Sequence, residues 1–272
     1  MKIYRYENAR GEARWASRRD DGILYDLEGP LFGAPQRETD RPAQVSRLLA
    51  PLNPVQILGV GLNYRRHAEE SGAKLPEFPV LFSKGINTLQ RPDGPIELPS
   101  NLPSGEVDYE CELAVVIGRA CKNVSRTAAL DYVLGYTCAN DVSARDWQLR
   151  HCGGQWCRGK FFDTFCPLGP CLVTSDEISA PDSLTISTRL NGIVVQHWTT
   201  GDMIFDVPRL IEFLSSSTTL PAGTVILTGT PHGVGMAAKP PRWLKPGDVV
   251  EIEISKIGTL RNPVIQEPRV AG

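Results

Sequence analysis

Residues 107–118 (VDYECELAVVIG) constrain the fold most, because they place two acidic residues directly beside an apolar run. The run Leu-Ala-Val-Val-Ile is typical of a strand that is buried on both faces of a sheet. Strand side chains alternate between the two faces, so Glu110 and Glu112 are expected to point to the same side. Two such carboxylates repel each other unless a cation lies between them. The segment therefore predicts a buried strand that begins at a cation-binding site.

A third acidic residue, Asp141, lies in the later segment 140–148 (NDVSARDWQ). Together with Glu110 and Glu112 it would complete an all-oxygen ligand set of the kind that Mg²⁺ or Mn²⁺ prefers. The alternative is that the two glutamates are exposed strand carboxylates. The strongly apolar continuation of the strand favours the metal site.

Short strand-like runs separated by turn residues make up most of the chain, which has 25 Gly and 22 Pro among 272 residues. Asn191-Gly192 between two such runs predicts a two-residue hairpin turn. After residue 50, helical patterns are limited to residues 63–70, 127–133 and 208–214, and the last core strands are predicted at 225–228 and 249–254. This pattern predicts a sheet-rich roll or sandwich rather than a doubly wound parallel sheet.

The first 50 residues are predicted to form a small N-terminal subdomain. It has three strand-like runs (2–6, 14–17 and 22–27), followed by a polar connector and a short helix at 43–49. Pro51 and Pro54 mark the break, because proline and the residue before it disfavour continued helix. Residues 51–272 are then expected to form the catalytic domain.

Composition argues against several classes of partner. The net charge is −2 and there is no basic run, which speaks against binding of nucleic acid. No apolar stretch approaches the roughly 20 residues that span a bilayer. Glu7 and Glu12 are unlike a targeting sequence. We therefore predict a cytoplasmic protein without a membrane segment.

His67 and Glu70 are three residues apart in a helical pattern, so a carboxylate is expected beside an imidazole, as in a general base. Taken alone, a solvated polar start of a helix explains them better. Lys160 lies between aromatic residues and could polarise a carbonyl, or it could be an ordinary surface lysine. The loop at residues 228–235 (TGTPHGVG) follows an apolar strand and could offer N–H groups and a hydroxyl to an anion.

Six motifs, in this order along the chain, resemble those of the fumarylacetoacetate hydrolase family. They begin near residue 55, and they are similar in particular to the subgroup called fumarylacetoacetate hydrolase domain-containing protein 2. The motifs are residues 61–70 (GLNYRRHAEE), 79–84 (PVLFSK), 107–118 (VDYECELAVVIG), 135–148 (GYTCANDVSARDWQ), 159–170 (GKFFDTFCPLGP) and 227–235 (LTGTPHGVG).

The resemblance implies an α+β, mainly β fold: a mixed β-sandwich roll with a few flanking helices, usually a homodimer. It implies Mg²⁺ or Mn²⁺ as the cofactor and a small 2-oxo acid as the substrate. It also implies a dyad on a lid that becomes ordered when substrate binds. The site residues that it implies are Glu110, Glu112 and Asp141 for the metal, His67, Glu70 and Lys160 for catalysis, and Arg145, Gln148 and Thr230 for substrate binding.

We therefore predict a divalent-metal-dependent enzyme that acts on 2-oxo or β-dicarbonyl acids, such as acylpyruvates or oxaloacetate, through a metal-stabilised enolate. The leading hypothesis is hydrolysis of a C–C bond, with water activated by His67 and Glu70. The alternatives within enzymes are decarboxylation of oxaloacetate and keto–enol tautomerisation, neither of which needs an attacking water. A further alternative is a non-catalytic protein that binds a metabolite. The motifs do not separate these reactions.

Overall fold

The computed structural model describes residues 1–34 and 36–268. Strands predominate in these residues, and the helices are short. The strands are β1 (Lys2–Glu7), β2 (Ala13–Arg18), β3 (Leu24–Glu28), β4 (Arg37–Pro42), β5 (Arg47–Leu48), β6 (Gln56–Gly61), β7 (Val80–Lys84), β8 (Leu89–Gln90), β9 (Ile96–Leu98), β10 (Val107–Asp108), β11 (Cys111–Ile117), β12 (Val133–Asn140), β13 (Ser143–Ala144), β14 (Cys166–Thr174), β15 (Thr185–Leu190), β16 (Ile193–Thr199), β17 (Thr224–Leu227), β18 (Val249–Ile254) and β19 (Gly258–Gln266). The α-helices are α1 (Arg65–Glu70), α2 (Cys157–Lys160) and α3 (Val207–Ser215). Single 3₁₀ segments lie at Ile86–Thr88, Arg126–Tyr132, Thr200–Asp202 and Gly235–Ala237, and a π-helical turn lies at Trp147–His151.

A large mixed sheet forms the centre of the fold. Its strands lie in the order β4-β3-β2-β1-β14-β12-β11-β17-β6-β7, with β5 paired to β1 and β8 paired to β14. Most neighbours are antiparallel, but β17 runs parallel to β6 and β14 runs parallel to β8. A second sheet has the order β16-β15-β18-β19-β9, and β10 pairs separately with β13. The predicted α+β, mainly β fold is confirmed.

Strand β11 lies between β12 and β17 and is buried along its whole length. Leu113, Val115 and Ile117 pack with residues of β15, β18 and β19 in the core between the two sheets. Ala114 and Val116 point the opposite way, into a second core on the other face of the large sheet. Because both faces are covered, the strand is a continuous apolar run rather than an alternating one. The same burial draws the acidic residues at its start into the interior.

The hairpin predicted at Asn191-Gly192 joins β15 to β16. Asn191 has φ 52° and Gly192 has φ 79°, and positive φ at both central residues is the backbone of a type I′ turn. The helices predicted at 63–70 and 208–214 correspond to α1 and α3, and the one predicted at 127–133 is a 3₁₀ helix. Local patterns were therefore sufficient for these elements.

The helix predicted at residues 43–49 is wrong, because this segment is extended and contains β5. The backbone N–H of Ser46 donates to the carbonyl of Glu7, and that of Leu49 donates to the carbonyl of Arg5. These partners lie on β1, with which β5 pairs antiparallel. A helix of seven residues has little stability of its own, so pairing with an available strand prevails.

Several strands lie where the sequence predicted none, and the longest of them are β4, β14 and β19. The polar connector before residue 43 contains β4, an edge strand whose side chains are mostly exposed and therefore show no apolar pattern. Strand β14 contains Pro167 and Pro170, which argue against a central strand. Its pairing with β12 shifts register opposite the segment that contains Pro170. Strand β19 follows the strand that was predicted to be the last one of the core.

The leading strands join the large sheet through β1, which pairs with β14. The division into a subdomain at 1–50 and a catalytic domain at 51–272 stays a prediction. No helix in the described part of the chain combines the length and the apolar character needed to cross a membrane.

Gly135 on β12 provides a test of this packing. A Cβ at this position would lie 2.2 Å from the carbonyl oxygen of Val173 on β14, and backbone in a central strand has little freedom to move away. We expect Gly135→Ala to lower the free energy of unfolding by about 1–3 kcal/mol, measured by urea denaturation. Gly105→Ala is the matched control, because nothing lies within 4 Å of a Cβ there. Equal stability of the two variants would contradict this account.

Candidate active site

A cavity of ≈ 250 Å³ lies beside the start of β11, the end of β6 and helix α2. One part of its wall is apolar and is formed by Val60, Leu62, Phe82, Leu149, Trp156 and Met236. The other part is polar and is formed by His67, Ser71, Glu110, Glu112, Arg145, Gln148, Lys160 and Thr230. Pockets with this combination of apolar walls and a few convergent polar groups bind small molecules.

Three buried acidic side chains meet at the polar end of the cavity. One carboxylate oxygen from each of Glu110, Glu112 and Asp141 lies within 4.8 Å of the others. Glu110 directly precedes β11 and Glu112 is the second residue of β11, so their two-residue spacing places both on one side. Asp141 directly follows β12, the neighbour of β11, and its N–H donates to the carbonyl of Glu110 at 2.9 Å. Strand pairing thus brings all three together.

Two buried lysines lie against these carboxylates. Lys160, at the end of α2, donates to Glu110 Oε2 at 2.8 Å and to Asp141 Oδ2 at 2.5 Å. Lys84, at the end of β7, donates to Asp141 Oδ1 at 2.6 Å and to the carbonyl of Val142 at 3.2 Å. Asp141 is therefore held by an ammonium group on each of its two oxygens.

Arg145 adds a third buried cation. Its guanidinium is 2.7 Å from Glu110 Oε1 and 2.9 Å from Asp108 Oδ2. Its Nη1 donates to Gln148 Oε1 at 2.9 Å. Because a guanidinium can only donate, this contact turns the amide nitrogen of Gln148 away from Arg145. Gln148 lines the cavity, so its N–H groups are available there as donors.

The two glutamates have opposite electrostatic environments. Burial works to raise the pKa of Glu110, but Arg145 and Lys160 outweigh burial and hold its pKa below the usual value. Burial raises the pKa of Glu112 well above its usual value, and the charges of Asp141 and Glu110 raise it further. Burial lowers the pKa of Lys160, but Asp141 and Glu110 outweigh burial and leave its pKa raised.

The donor set fits a divalent cation. The described residues at this end of the cavity carry three cations, Lys84, Arg145 and Lys160, against four carboxylates: Asp108, Glu110, Glu112 and Asp141. Glu112 accepts a backbone N–H from Gly229, and no described cation forms an ion pair with it. A buried carboxylate without a counter-charge is strongly destabilised. All three converging donors are carboxylate oxygens, the ligands that Mg²⁺ and Mn²⁺ prefer.

The loop after β17 binds anions, but these anions are carboxylates of the chain itself. Three of its backbone N–H groups donate to acidic side chains. The pairs are Gly229 with Glu112 at 2.7 Å, Gly233 with Glu70 at 2.9 Å, and Gly235 with Asp108 at 2.7 Å. The loop therefore orients the carboxylates of the site, in addition to presenting Thr230 to the cavity.

His67 and Glu70 form the pair that their spacing predicted. They lie on α1, and His67 Nδ1 is 3.3 Å from Glu70 Oε2. The other oxygen of Glu70 accepts the N–H of Gly233, which holds the carboxylate in place. An imidazole that donates from Nδ1 to a carboxylate has Nε2 free to accept a proton. His67 is buried and lines the cavity.

The structure brings all nine predicted site residues to one place. Seven of them line the cavity. The other two contact lining residues: Asp141 accepts from Lys160, and Glu70 pairs with His67. Their individual roles stay predictions. Lys84 and Asp108 belong to the same charged cluster and were given no role from the sequence. For Lys84 the available signal was a lone lysine that ends an apolar strand, and for Asp108 it was the two-residue spacing from Glu110.

Removal of Lys84 tests the charge balance. Lys84→Met leaves Asp141 with one counter-charge fewer in the interior, so we expect the free energy of unfolding to fall by about 3–5 kcal/mol. Urea denaturation in the presence of a chelator measures it without a contribution from bound metal. Lys122→Met is the control, because Lys122 is exposed. A loss below 1 kcal/mol, the size expected for a surface pair, would show that Asp141 does not depend on Lys84.

Comparison with known proteins gives consistent results. The family model described as "Fumarylacetoacetate (FAA) hydrolase C-terminal" matches residues 56–265. Oxaloacetate tautomerase fahd2, mitochondrial, of Xenopus laevis is 50% identical over 219 residues, which are 80% of this chain and 68% of that protein. Its name contains the abbreviation of the subgroup that the sequence motifs predicted.

Two solved structures cover nearly the whole chain. The 5-carboxymethyl-2-hydroxymuconate delta-isomerase from Mycobacterium smegmatis has a TM-score of 0.85 at 39% identity, covering 98% of this chain and 100% of that chain. The fumarylacetoacetate hydrolase from Exiguobacterium antarcticum has a TM-score of 0.83 at 37% identity, with the same coverage of both chains. The predicted family is confirmed by these similarities and by the family model. The chain belongs to the fumarylacetoacetate hydrolase family of enzymes.

Proposed function

We propose that this protein is a divalent-metal-dependent enzyme that interconverts the keto and enol forms of a small 2-oxo dicarboxylic acid such as oxaloacetate. The observation that carries the proposal is the shared cavity. His67, paired with Glu70, lines the same ≈ 250 Å³ space as Glu110 and Glu112, two of the three clustered carboxylates. His67 can move a proton, while a cation held by the three carboxylates would stabilise negative charge on the substrate oxygens.

The residues proposed to hold the cation are Glu110, Glu112 and Asp141, with Mg²⁺ or Mn²⁺ as the metal. Such a cation would supply a Lewis acid that stabilises negative charge on the substrate oxygens. Lys160 and Arg145 add fixed positive charge at the same end of the cavity. Gln148 and Thr230 offer uncharged donors that can orient a bound carboxylate.

His67 is the proposed general base and acid. Its Nε2 would remove the proton from C3 of the keto form. The electron pair of that C–H bond would form the C2–C3 double bond, and the π pair of the 2-oxo carbonyl would move to its oxygen. Glu70 accepts from Nδ1 and so stabilises the imidazolium that results. Delivery of a proton to the oxygen completes the enol and restores neutral His67. No atom is gained or lost, so the reaction needs no attacking water.

The Xenopus relative supports tautomerisation, because its name is that of an oxaloacetate tautomerase at 50% identity. The isomerase from Mycobacterium smegmatis supports proton transfer more generally. Hydrolysis of a C–C bond, the leading hypothesis from the sequence, becomes the second candidate. It is favoured by the similarity to the Exiguobacterium antarcticum hydrolase, and the same His67–Glu70 pair could activate water. Decarboxylation of oxaloacetate and a non-catalytic role remain outcomes of the assays below.

The homodimer and the cytoplasmic location are retained as proposals. Leu81 is 51% exposed on β7, at the edge of the large sheet, and Ile86 nearby is 64% exposed. An exposed sheet edge with apolar side chains suits contact with a second copy of the chain.

Metal binding is tested first by its effect on the temperature of thermal unfolding. Binding of Mg²⁺ at about 100 times Kd stabilises a folded protein by about 2.7 kcal/mol, so thermal unfolding should shift upward when Mg²⁺ is added. We expect Glu112→Gln to abolish this shift, because the substitution removes one of three ligand charges. Glu106→Gln is the matched control, since Glu106 forms an ion pair with exposed Arg150. A shift that survives in Glu112→Gln would place the cation elsewhere.

Turnover is tested with enol oxaloacetate and Mg²⁺, followed by the loss of enol absorbance. Positioned proton transfer contributes about 10²–10⁴-fold, so His67→Ala should lose at least about 100-fold in kcat while its Mg²⁺-induced thermal shift is retained. The exposed His197 provides the control variant His197→Ala.

The products distinguish the candidate reactions. Tautomerisation consumes enol without release of CO₂, decarboxylation releases CO₂ and pyruvate, and hydrolysis of acetylpyruvate yields acetate and pyruvate. Cleavage of acetylpyruvate with no acceleration of oxaloacetate tautomerisation would establish the second candidate in place of the first. If the protein with Mg²⁺ accelerates none of these reactions, the proposal that it is an enzyme is wrong.

A further inference from the structure

Gln196 is a buried amide on β16 whose hydrogen-bonding capacity is fully used. It is 2% exposed and lies opposite Thr188 of β15. Its Oε1 accepts from the hydroxyl of Thr188 at 2.7 Å and from the N–H of Cys111 at 3.1 Å. Its Nε2 donates to Thr230 Oγ1 and to the carbonyl of Pro231, both at 2.9 Å. One side chain of the second sheet thus connects the strand of the carboxylates with the loop that presents Thr230.

The orientation of this amide follows from its two backbone partners. The oxygen and nitrogen of a glutamine amide are similar in shape, so their assignment must come from the hydrogen-bond network. The N–H of Cys111 can only donate, and the carbonyl of Pro231 can only accept. Oε1 must therefore face Cys111, and Nε2 must face Pro231. The opposite orientation would place two donors together and two acceptors together.

The amide orientation determines what the hydroxyl of Thr230 can do. Thr230 lies on the Nε2 side, where Gln196 only donates, so Thr230 Oγ1 must accept from it. The hydroxyl proton of Thr230 is then left for another partner, and within residues 1–34 and 36–268 its hydrogen-bond partner is Gln196 alone. Thr230 is 4% exposed and lines the cavity.

We propose that Gln196 is a positioning residue that makes Thr230 an obligate donor to an anionic oxygen of the substrate. This rests on the proposed function, because it assumes that an anionic acid occupies the cavity. Gln196 does not line the cavity and acts through Thr230. Its contribution should therefore appear in substrate affinity, while proton transfer by His67 is left largely unchanged.

Gln196→Glu isolates this effect. The oxygen on the Cys111 side still accepts from Cys111 and Thr188, so the start of β11 keeps its support. The second carboxyl oxygen replaces Nε2, and when the group is ionised this oxygen can only accept. If the buried group is protonated, its single proton is donated to the carbonyl of Pro231, which has no proton of its own, so the oxygen still faces Thr230 as an acceptor. The hydroxyl of Thr230 must then donate to the introduced carboxyl group, and its proton is no longer available to a substrate in the cavity.

The expected result is a split between affinity and rate. A hydrogen bond to a charged group contributes about 1.5–3 kcal/mol, so we expect KM for oxaloacetate, and Kd for the unreactive anion oxalate, to rise roughly tenfold or more in Gln196→Glu. We expect kcat to stay within about twofold of wild type, since uniform binding is lost rather than transition-state stabilisation. The Mg²⁺-induced thermal shift should be retained.

A double-mutant cycle tests whether the effect passes through Thr230. Thr230→Val removes the donor and should raise KM and the oxalate Kd to a similar extent. If Gln196 acts only by orienting Thr230, adding Gln196→Glu to Thr230→Val should raise them little further. Independent effects that multiply would contradict the proposed route.

Asn262→Asp is the matched control for damage to the fold. Asn262 is 1% exposed, and its Nδ2 donates to the carbonyls of Arg91 and Gly94, away from the cavity. Its replacement places a buried carboxyl group against two carbonyls, whereas Gln196→Glu places one against the carbonyl of Pro231 and the hydroxyl of Thr230. We expect both variants to lower the thermal midpoint, but only Gln196→Glu to change KM and the oxalate Kd.

The two proposals fail in different ways. Wild-type protein that binds oxalate but turns over no 2-oxo acid would overturn the proposed function. Comparison of the oxalate Kd of wild type and Gln196→Glu would still test the role of Gln196. Turnover by wild type with unchanged KM and Kd in Gln196→Glu would overturn the role of Gln196 alone. An equal rise of Kd in Asn262→Asp would also overturn it. Wild-type protein that binds no oxalate and turns over no substrate would overturn both.

Discussion

The buried charges at the start of β11 are the constraint on which the rest of this structure depends. Carboxylates in a protein interior are tolerated only when cations or hydrogen-bond donors face them. Here each cation comes from a different element: Lys84 from the end of β7, Arg145 from the segment after β13, and Lys160 from the end of α2. Compensation of these charges therefore requires that the three elements converge on β11 and β12. The cavity lies at the point where they meet.

Backbone N–H groups also compensate the negative charge of the buried carboxylates. The loop after β17 donates to Glu112, Glu70 and Asp108 from three closely spaced glycines. Glycine at these positions lets the backbone approach closely; a Cβ at Gly235, for example, would lie 2.0 Å from the carbonyl oxygen of Arg242. The loop therefore links the His67–Glu70 pair to Glu112 and Asp108 of the charged cluster. In the proposed enzyme, the same loop therefore supports both the proton-transfer pair and a metal ligand.

Sequence patterns predicted the elements whose character is local. The hairpin at Asn191-Gly192 depends on two residues that tolerate positive φ, and β11 depends on an unbroken apolar run. Prediction was wrong at residues 43–49, where pairing with β1 outweighed a weak helical preference. It missed β14 because Pro167 and Pro170 normally exclude a central strand. In each case the deciding partner lies far away in the sequence, where no local pattern could reveal it.

For the site, the sequence by itself determined the chemistry that is available. Glu110 and Glu112 share a side because strand side chains alternate, and His67 meets Glu70 because residues three apart are neighbours on a helix. Only the tertiary structure decided that Lys84 faces Asp141 and that Gln196 donates to the hydroxyl oxygen of Thr230. These contacts join residues that are 57 and 34 positions apart. The physical reason is that local periodicity governs the direction of a side chain, whereas the partner it meets depends on how distant strands pair and pack.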